Sequence, residues 1–479
     1  MKANVIIETL VTKVKTVLQN HADQLDQPLT VENTESVVKI LSAALALGGV
    51  EGLKTYLAES ETRENTVVHD NQKYQFNRTS NKEFQTPFGK MTLPRRLYQN
   101  ENGESFVPLD HAWNMENHFA TIEVRESVLF ALALMPASEA RQLFQKCSLY
   151  NVAESSFKKI AENLGPSLEK HLDPFLETIR REEAIPVAKT KVVAVSMDGA
   201  NVLLQESGKK KGRKRQRPGA RKQETEGNFD SPTSYRNAVV GSITLYGDVP
   251  EGEKSPLRLQ SRYVARIPEE KCPTLKRQLE NEMKETLDRL PNDVTKVFLS
   301  DAAQGIRKEI DTNSAFNDFE KIVDYWHATD HLSNAAEAIF GKGEAEGESW
   351  YEAKKSLLLE DLDGAEKVYR SLLYYRDNYK YPKDRSESLK RETTFFCNNK
   401  DRMEYKRFRE NGWPIGSGVI EAVCKSVVKC RFCRSGMRWT RVGGQAILTL
   451  RTFIKSDRWD AFWNIYKTSH FTKNDKIAT

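Results

Sequence analysis

At 479 residues the chain has room for roughly three average domains, or for one core domain carrying large insertions. Its 39% hydrophobic and 29% charged residues fit a surface-rich protein, and the longest apolar patch, around Leu41 to Val50, is far short of the roughly 18 to 20 residues that a membrane span needs. The net charge of +6 is unevenly placed: nine basic residues and no acid lie between Lys209 and Lys222, which leaves the rest of the chain net acidic.

The start, Met1-Lys2-Ala3-Asn4, leads into an acid-containing amphipathic pattern rather than a secretory signal, so a cytoplasmic location is expected and no membrane partner. Residues 4 to about 60 read as helical, with Val5, Ile6, Leu10, Val14 and Leu18 and then Val37, Ile40, Leu41 and Leu45 at helical spacing; Gly48-Gly49 is expected to break the second helix. Thr66-Val67-Val68-His69, Lys73-Tyr74-Gln75-Phe76 and the stretch from Thr86 to Tyr98 suggest a small β element with Gly89 in a hairpin turn. From Thr121 to Arg181 the helical period returns. Two short helices between Ser138 and Leu164, joined near Ser148 to Asn151, read either as a helix-turn-helix that meets DNA or as plain packing.

The run Val192-Val193-Ala194-Val195-Ser196-Met197 reads as a buried strand that ends at Asp198-Gly199. Two more strands, Tyr235 to Tyr246 and Leu259 to Ile267, follow, then a helix from Glu269 to Leu290. A strand Val294 to Ser300 ends at Asp301, and a strand Phe319 to Val323 ends at Asp324, with His327 three residues on. Three meandering strands followed by alternating helix and strand describe an α/β fold, a mixed sheet covered by helices. Residues from His327 to Asn411 read as an all-helical insertion. Trp413-Pro414-Ile415-Gly416-Ser417-Gly418 forces a loop, and a helix with Glu421 on its first turn follows. The expected domains are 1–64 (helical), 65–185 (small β element and helices, a possible DNA-binding region), 186–335 (core, first part), 336–412 (helical insertion) and 413–479 (core, last part).

Asp198, Asp301 and Glu421 are the acids best placed for chemistry. Hard oxygen ligands of this kind suit Mg2+ or Mn2+, and two such ions can serve phosphodiester cleavage. The plainer readings are that strand-terminal aspartates cap turns and that Glu421 pairs with Lys425 at i, i+4. His327 with Asp324 forms Asp-x-x-His, and a histidine there serves either as a structural hydrogen-bonding group or as a ligand. Trp326, Trp413 and Trp439 either stack on bases or fill the core. The first basic tract includes Lys209, Lys210, Lys211, Arg213, Lys214, Arg215 and Arg217. The second, from Lys425 to Arg441, includes Lys425, Lys429, Arg431, Arg434 and Arg438 and again has no acid; both are either solvated faces or contacts for a polyanion. The six cysteines are scattered, and Cys430-x-x-Cys433 has no second pair nearby to complete a zinc site.

Taken in order, Met197-Asp198-Gly199, Ser300-Asp301-Ala302-Ala303-Gln304-Gly305-Ile306, Asp324-x-x-His327 and Gly412-Trp413-Pro414-Ile415-Gly416-Ser417-Gly418-Val419-Ile420-Glu421 resemble the DDE transposases of bacterial insertion sequences, in the Mutator-related (Kra-type) group. Lys429-x-Arg431, Ser435-Gly436-Met437-Arg438-Trp439 and Thr86-Pro87-Phe88-Gly89 resemble that group as well, and the likeness runs from about residue 84 to 465. It implies an RNase H-like core interrupted by a helical insertion, with Asp198, Asp301 and Glu421 as ligands of two Mg2+ or Mn2+ ions and Asp324 and His327 as the accompanying motif. It also implies transposon-end and target DNA as partners, a homodimer or higher homo-oligomer on DNA, and association with the nucleoid. Relatives often carry a cysteine pair after the Pro-Phe-Gly hairpin; here Tyr98 to Glu104 has none, so no zinc is expected there. A metal-dependent nuclease that does not join strands, and a non-catalytic DNA-binding derivative, are the alternatives.

Overall fold

The computed structural model describes residues 2–147, 152–205 and 233–468. The chain divides into two units, Met1–Ser167 with Trp463–Thr479, and Leu168–Phe462.

In the first unit, helix Lys2–Gln19 packs against a second helix, Val31–Ala58, whose N-cap Thr30 accepts from the Asn33 amide. That second helix is long and apolar enough to cross a membrane by length and composition, which corrects the expectation that no stretch is. It also runs straight through Gly48-Gly49, where a break was expected. The glycines are buried; a Cβ built on Gly48 would come within 2.6 Å of Val14 Cγ2 and one on Gly49 would run into the Phe88 ring, so Gly48 lets the two helices approach and Gly49 makes room for the hairpin tip, rather than either making a turn. Gly48→Val is therefore expected to destabilise the protein by about 1–3 kcal/mol, seen as a lower midpoint in thermal unfolding followed by circular dichroism.

The β element is a four-stranded antiparallel sheet, β1 (Thr66–His69), β2 (Gln72–Thr86), β3 (Gly89–Gln99) and β4 (Ser105–Phe106). Pro87 and Phe88 form the tip of its long hairpin, and Gly89 opens β3 at φ +123° instead of sitting in the turn itself. Phe84, Met91 and Leu93 from this hairpin join Leu57, Leu109 and Met115 in one core. Helices Ala137–Lys146 and Glu154–Glu182 stand where the two-helix unit was expected; the segment joining them lies outside the described residues, as does the tract from Lys209 to Lys222.

The second unit is built on a mixed five-stranded sheet in the order β7 (Arg258–Arg266), β6 (Thr233–Tyr246), β5 (Val192–Gln205), β8 (Thr295–Ser300), β9 (Glu320–Val323). β5, β6 and β7 are antiparallel neighbours, and β8 and β9 join β5 in parallel. Alternation along β5 accounts for the helices on both faces. Val193, Val195 and Met197 point to a core with Leu275, Leu279 and Met283 of helix Pro273–Leu287. Val192 and Ala194 point the other way, to a core with Leu332 and Ile339 of helix Tyr325–Phe340 and with Leu358, Leu372 and Phe396 of the helices that follow it. Helix Pro273–Leu287 starts later than its sequence pattern suggested because Lys271 and Cys272 adopt positive φ, ending the preceding turn just before Pro273.

Behind the 193/195/197 face lies a buried charge network. Glu282, 1% exposed, meets Arg458 at 2.5 Å and Arg180 at 3.2 Å, while Glu183 meets Arg458 at 2.7 Å and Arg262 at 2.9 Å. It joins helices Glu154–Glu182 and Pro273–Leu287, β7, Glu183 just past the first of these helices and Arg458 just before helix Trp459–Thr468.

Candidate active site at the end of the sheet

Asp198 does not end its strand. β5 continues through it to Gln205, because β6 pairs with β5 along its whole length, Asp198 opposite Val240. On β8, Ser196 is level with Leu299, so two residues further the register brings Asp198 level with Asp301, where β8 has just ended. Asp301 then turns: its Oδ1 accepts from the Ala303 amide at 2.9 Å, and Ala302 adopts φ +59°, a left-handed conformation that costs a non-glycine residue free energy.

β9 ends beside it, with the Asp324 amide donating to the Ser300 carbonyl at 2.8 Å. Asp324 is fully buried. One of its oxygens caps helix Tyr325–Phe340 by accepting from the His327 amide at 2.7 Å, and the other accepts from the Ser417 amide. The Tyr325 amide also donates to Ile415 O at 2.9 Å, so two contacts clamp the loop ahead of Glu421 to the end of β9. Ser417 Oγ donates in turn to Glu421 Oε1 at 3.1 Å, on the short helix Gly418–Val423. Cys424, the next residue after that helix, is 1% exposed. The hydrogen bonds run from Glu421 through Ser417 and Asp324 to the end of β8, beside which the register of β5 sets Asp198. Asp324→Ala removes the acceptor of two amides and is expected to cost about 2–4 kcal/mol in stability, measurable as a lower denaturation midpoint in urea.

The carboxylates differ in exposure: Asp198 and Asp301 are half-buried, and Glu421 is exposed. None of the three is in an ion pair among the described residues. Asp301 and Glu421 each keep one carboxylate oxygen outside any hydrogen bond among those residues, a donor chemistry suited to a hard divalent cation. Their side chains are not drawn into a ligand set: among the described residues no group of three or more His, Cys, Asp or Glu side chains is placed to hold an ion. The Cys424 thiol is pushed well above its ordinary range, first by burial and then by the neighbouring Asp198 and Glu421 carboxylates.

His327 is half-buried, its ring 5.0 Å from that of His331 and 6.3 Å from Phe395. His331 meets the buried Glu392 at 2.5 Å and stacks on Phe395 at 3.5 Å, so this side of the motif faces the helix Lys383–Asn399. Of the tryptophans, Trp413 stacks on Phe408 and Trp439 lies 4.3 Å from Phe432, whereas Trp326 is 59% exposed.

The second basic tract is not one helix. A wide-turned π-helix, Cys424–Lys429, leads into the short helix Cys430–Phe432. The chain then loops back so that Trp439 bridges to Leu204 of β5 before a new helix starts at Arg441. Lys425, Lys429, Arg434 and Arg438 are exposed. Arg431 is 4% exposed and lies over the Trp439 ring at 4.6 Å, so it is committed to packing. The tract from Lys209, Lys210 and Lys211 through Arg213, Lys214, Arg215 and Arg217 lies outside the described residues. Sequence reasoning missed the hydrogen bond from Ser417 to Glu421, although the spacing of four residues was a usable signal.

No protein-family model matches the sequence, and no curated protein matches it significantly. Among solved structures, the Drosophila P element transposase strand transfer complex aligns with 71% of this chain and 80% of that chain at 9% identity. The TM-score of that alignment is 0.24, too low to carry an argument about fold or activity.

Proposed function

We propose that this chain is a DNA transposase of the DDE type, in the Mutator-related group, with an RNase H-like core. In this reading it cuts the ends of a mobile element and joins the exposed 3′ hydroxyl to target DNA. The observation that supports the reading is the meeting of three elements at one end of the sheet: β5 with Asp198 level with Asp301 just past β8, and the loop ahead of Glu421 hydrogen-bonded through Asp324 to the end of β9. Two Mg2+ or Mn2+ ions bound by these carboxylates would activate the attacking oxygen and stabilise the leaving one. Asp324 holds the Glu421 loop against β9, and His327 opens the helix that Asp324 caps. Lys425, Lys429, Arg434 and Arg438, with the tract from Lys209 to Lys222, supply the positive charge that neutralises DNA phosphates; these contacts fix register and carry no sequence information. Its partners are transposon-end DNA, target DNA and further copies of this chain, and its place is the cytoplasm, on the nucleoid.

The test is incubation of the purified chain with candidate terminal repeats, Mg2+ and a plasmid target. Nicking at the repeat ends followed by joined products supports the reading. Cutting with no joining, even from pre-cleaved ends, identifies a metal-dependent nuclease instead, and metal-independent binding with no cutting identifies a non-catalytic derivative.

A further inference from the structure

We propose that helices Lys2–Gln19 and Val31–Ala58 present a self-pairing face, on which a second copy of this chain docks to complete an antiparallel four-helix bundle. This locates the homo-oligomer of the proposed function but does not rest on that reading. The surface calls for a partner whether or not the chain cuts DNA.

The two helices run antiparallel: Gly48 lies against Val14, and Gly52 against Leu10 and Ile6, so the contact descends one helix as it climbs the other. On the longer helix Gly48 belongs to a buried row with Ile40 and Ala44. With about 3.6 residues per turn, Val31, Val38, Leu41 and Leu45 lie roughly a quarter-turn from that row. On the shorter helix Ile7 and Val11 lie roughly a quarter-turn from Leu10 and Val14, in the same rotational sense. On antiparallel helices that equal rotation brings both rows to one side of the pair. All six side chains are exposed, Val31 at 87%, Leu45 at 64% and Val38 at 56%.

The spacing, the area and the charge of this face point to a second copy. Val31, Val38 and Leu45 recur every seven residues with Leu41 between them, the spacing by which one helix packs along another. The six side chains expose on the order of 600 Å2 of apolar surface, the upper end of what a monomer leaves open and most of the about 800 Å2 per partner that a standard interface buries. Charges stand only at the margins: Glu35 and Lys39, which pair with each other at 2.6 Å, and Glu8 and Lys15 on the shorter helix. An uncharged apolar face of this kind is complementary to itself across a two-fold axis, and two helical hairpins stacked on it make a bundle. A bilayer fits less well. Lys39 and Glu51 bound an uncharged run of about 16 Å of helix, against the roughly 30 Å of a hydrocarbon core.

The experiment uses the full chain in sedimentation velocity from about 1 to 100 µM, where a species of twice the 54.8 kDa of one chain is expected to grow with concentration. Leu41→Glu combined with Leu45→Glu places like charges opposite each other and is expected to weaken pairing by about a hundredfold or more. Both positions are exposed in the single chain, so an unchanged circular dichroism spectrum is expected with it. Hydrogen exchange supplies a readout that needs no variant: amides from Thr34 to Leu45 are expected to exchange at least about tenfold more slowly at the high concentration than at the low one. A wild-type chain that keeps the single-chain mass and unchanged exchange throughout overturns the proposal. So does a folded double variant that pairs like wild type. Flotation of the wild type with phosphatidylcholine–phosphatidylglycerol vesicles, lost in the double variant, would assign the face to lipid and overturn it as well. None of these readouts involves cutting, so their failure is distinct from failure of the proposed function.

Discussion

Asp301→Asn is expected to lower metal-dependent DNA cleavage by about a thousandfold or more while changing affinity for end DNA by less than about threefold. The substitution removes one negative charge from a site that would neutralise divalent cations, a loss of several kcal/mol in transition-state stabilisation, and each 1.4 kcal/mol is about tenfold in rate. The fold is spared because asparagine Oδ1 still accepts from the Ala303 amide, the bond that shapes the turn after β8. In the proposed reading DNA affinity would come chiefly from lysine and arginine contacts to phosphate, none of which the change touches. Single-turnover cleavage in Mg2+ and gel-shift binding without it separate the two effects. A variant that cuts at the wild-type rate would remove Asp301 from the reaction.

Glu282→Gln should destabilise the second unit by about 3–5 kcal/mol, the range for breaking a buried ion pair by removing one partner. Glutamine fills the same space, yet Arg458 and Arg180 are left with less opposing charge inside the fold, and Arg262 beside them depends on Glu183 alone. Burial by itself would raise the Glu282 carboxyl; the guanidiniums of Arg458, Arg262 and Arg180 outweigh it and hold the group below the ordinary value of 4.5. The contribution is thus fully present above pH 4.5 and is lost as pH falls through the lower folded value. Urea unfolding at several pH values should show the difference between wild type and Glu282→Gln shrinking only on the acid side. A constant difference down to pH 2–3 would mean that folding does not lower the Glu282 carboxyl below its ordinary value.

The sheet was legible because its strands are rich in β-branched and apolar residues and its turns are marked by glycine and proline. β8, β9 and the helical run after Tyr325 fall close to the expected limits. Three misreadings have physical causes. An aspartate followed by glycine looked like the end of β5, but β6 pairs far beyond it, and partner length, which local sequence does not encode, decides where a strand stops. Gly48-Gly49 looked like a break because glycine disfavours helix in isolation; packing against Val14 overrode that preference. The run from Lys425 to Arg441 looked like one basic face, whereas Trp439 draws the chain back to β5 and Arg431 inward. At the candidate site the three acids could be named from local pattern. What ties the loop ahead of Glu421 to β9 could not, since the Asp324–Ser417 contact joins residues remote in sequence.

The contact between Asp324 and Ser417 joins residues 93 apart in the chain. During synthesis, β5, β8 and β9 leave the ribosome with two of the acids long before the third is made, and the helices in between must form before the loop ahead of Glu421 finds its clamp. Long-range closures of this kind come late in folding because their entropy cost precedes their reward. In the proposed reading, a nascent chain therefore holds two of the three acids without the third until the segment past Gly412 has been made. In that reading, products truncated before Gly412 are expected to cut no DNA, which a cleavage assay on a chain ended at Asn411 checks.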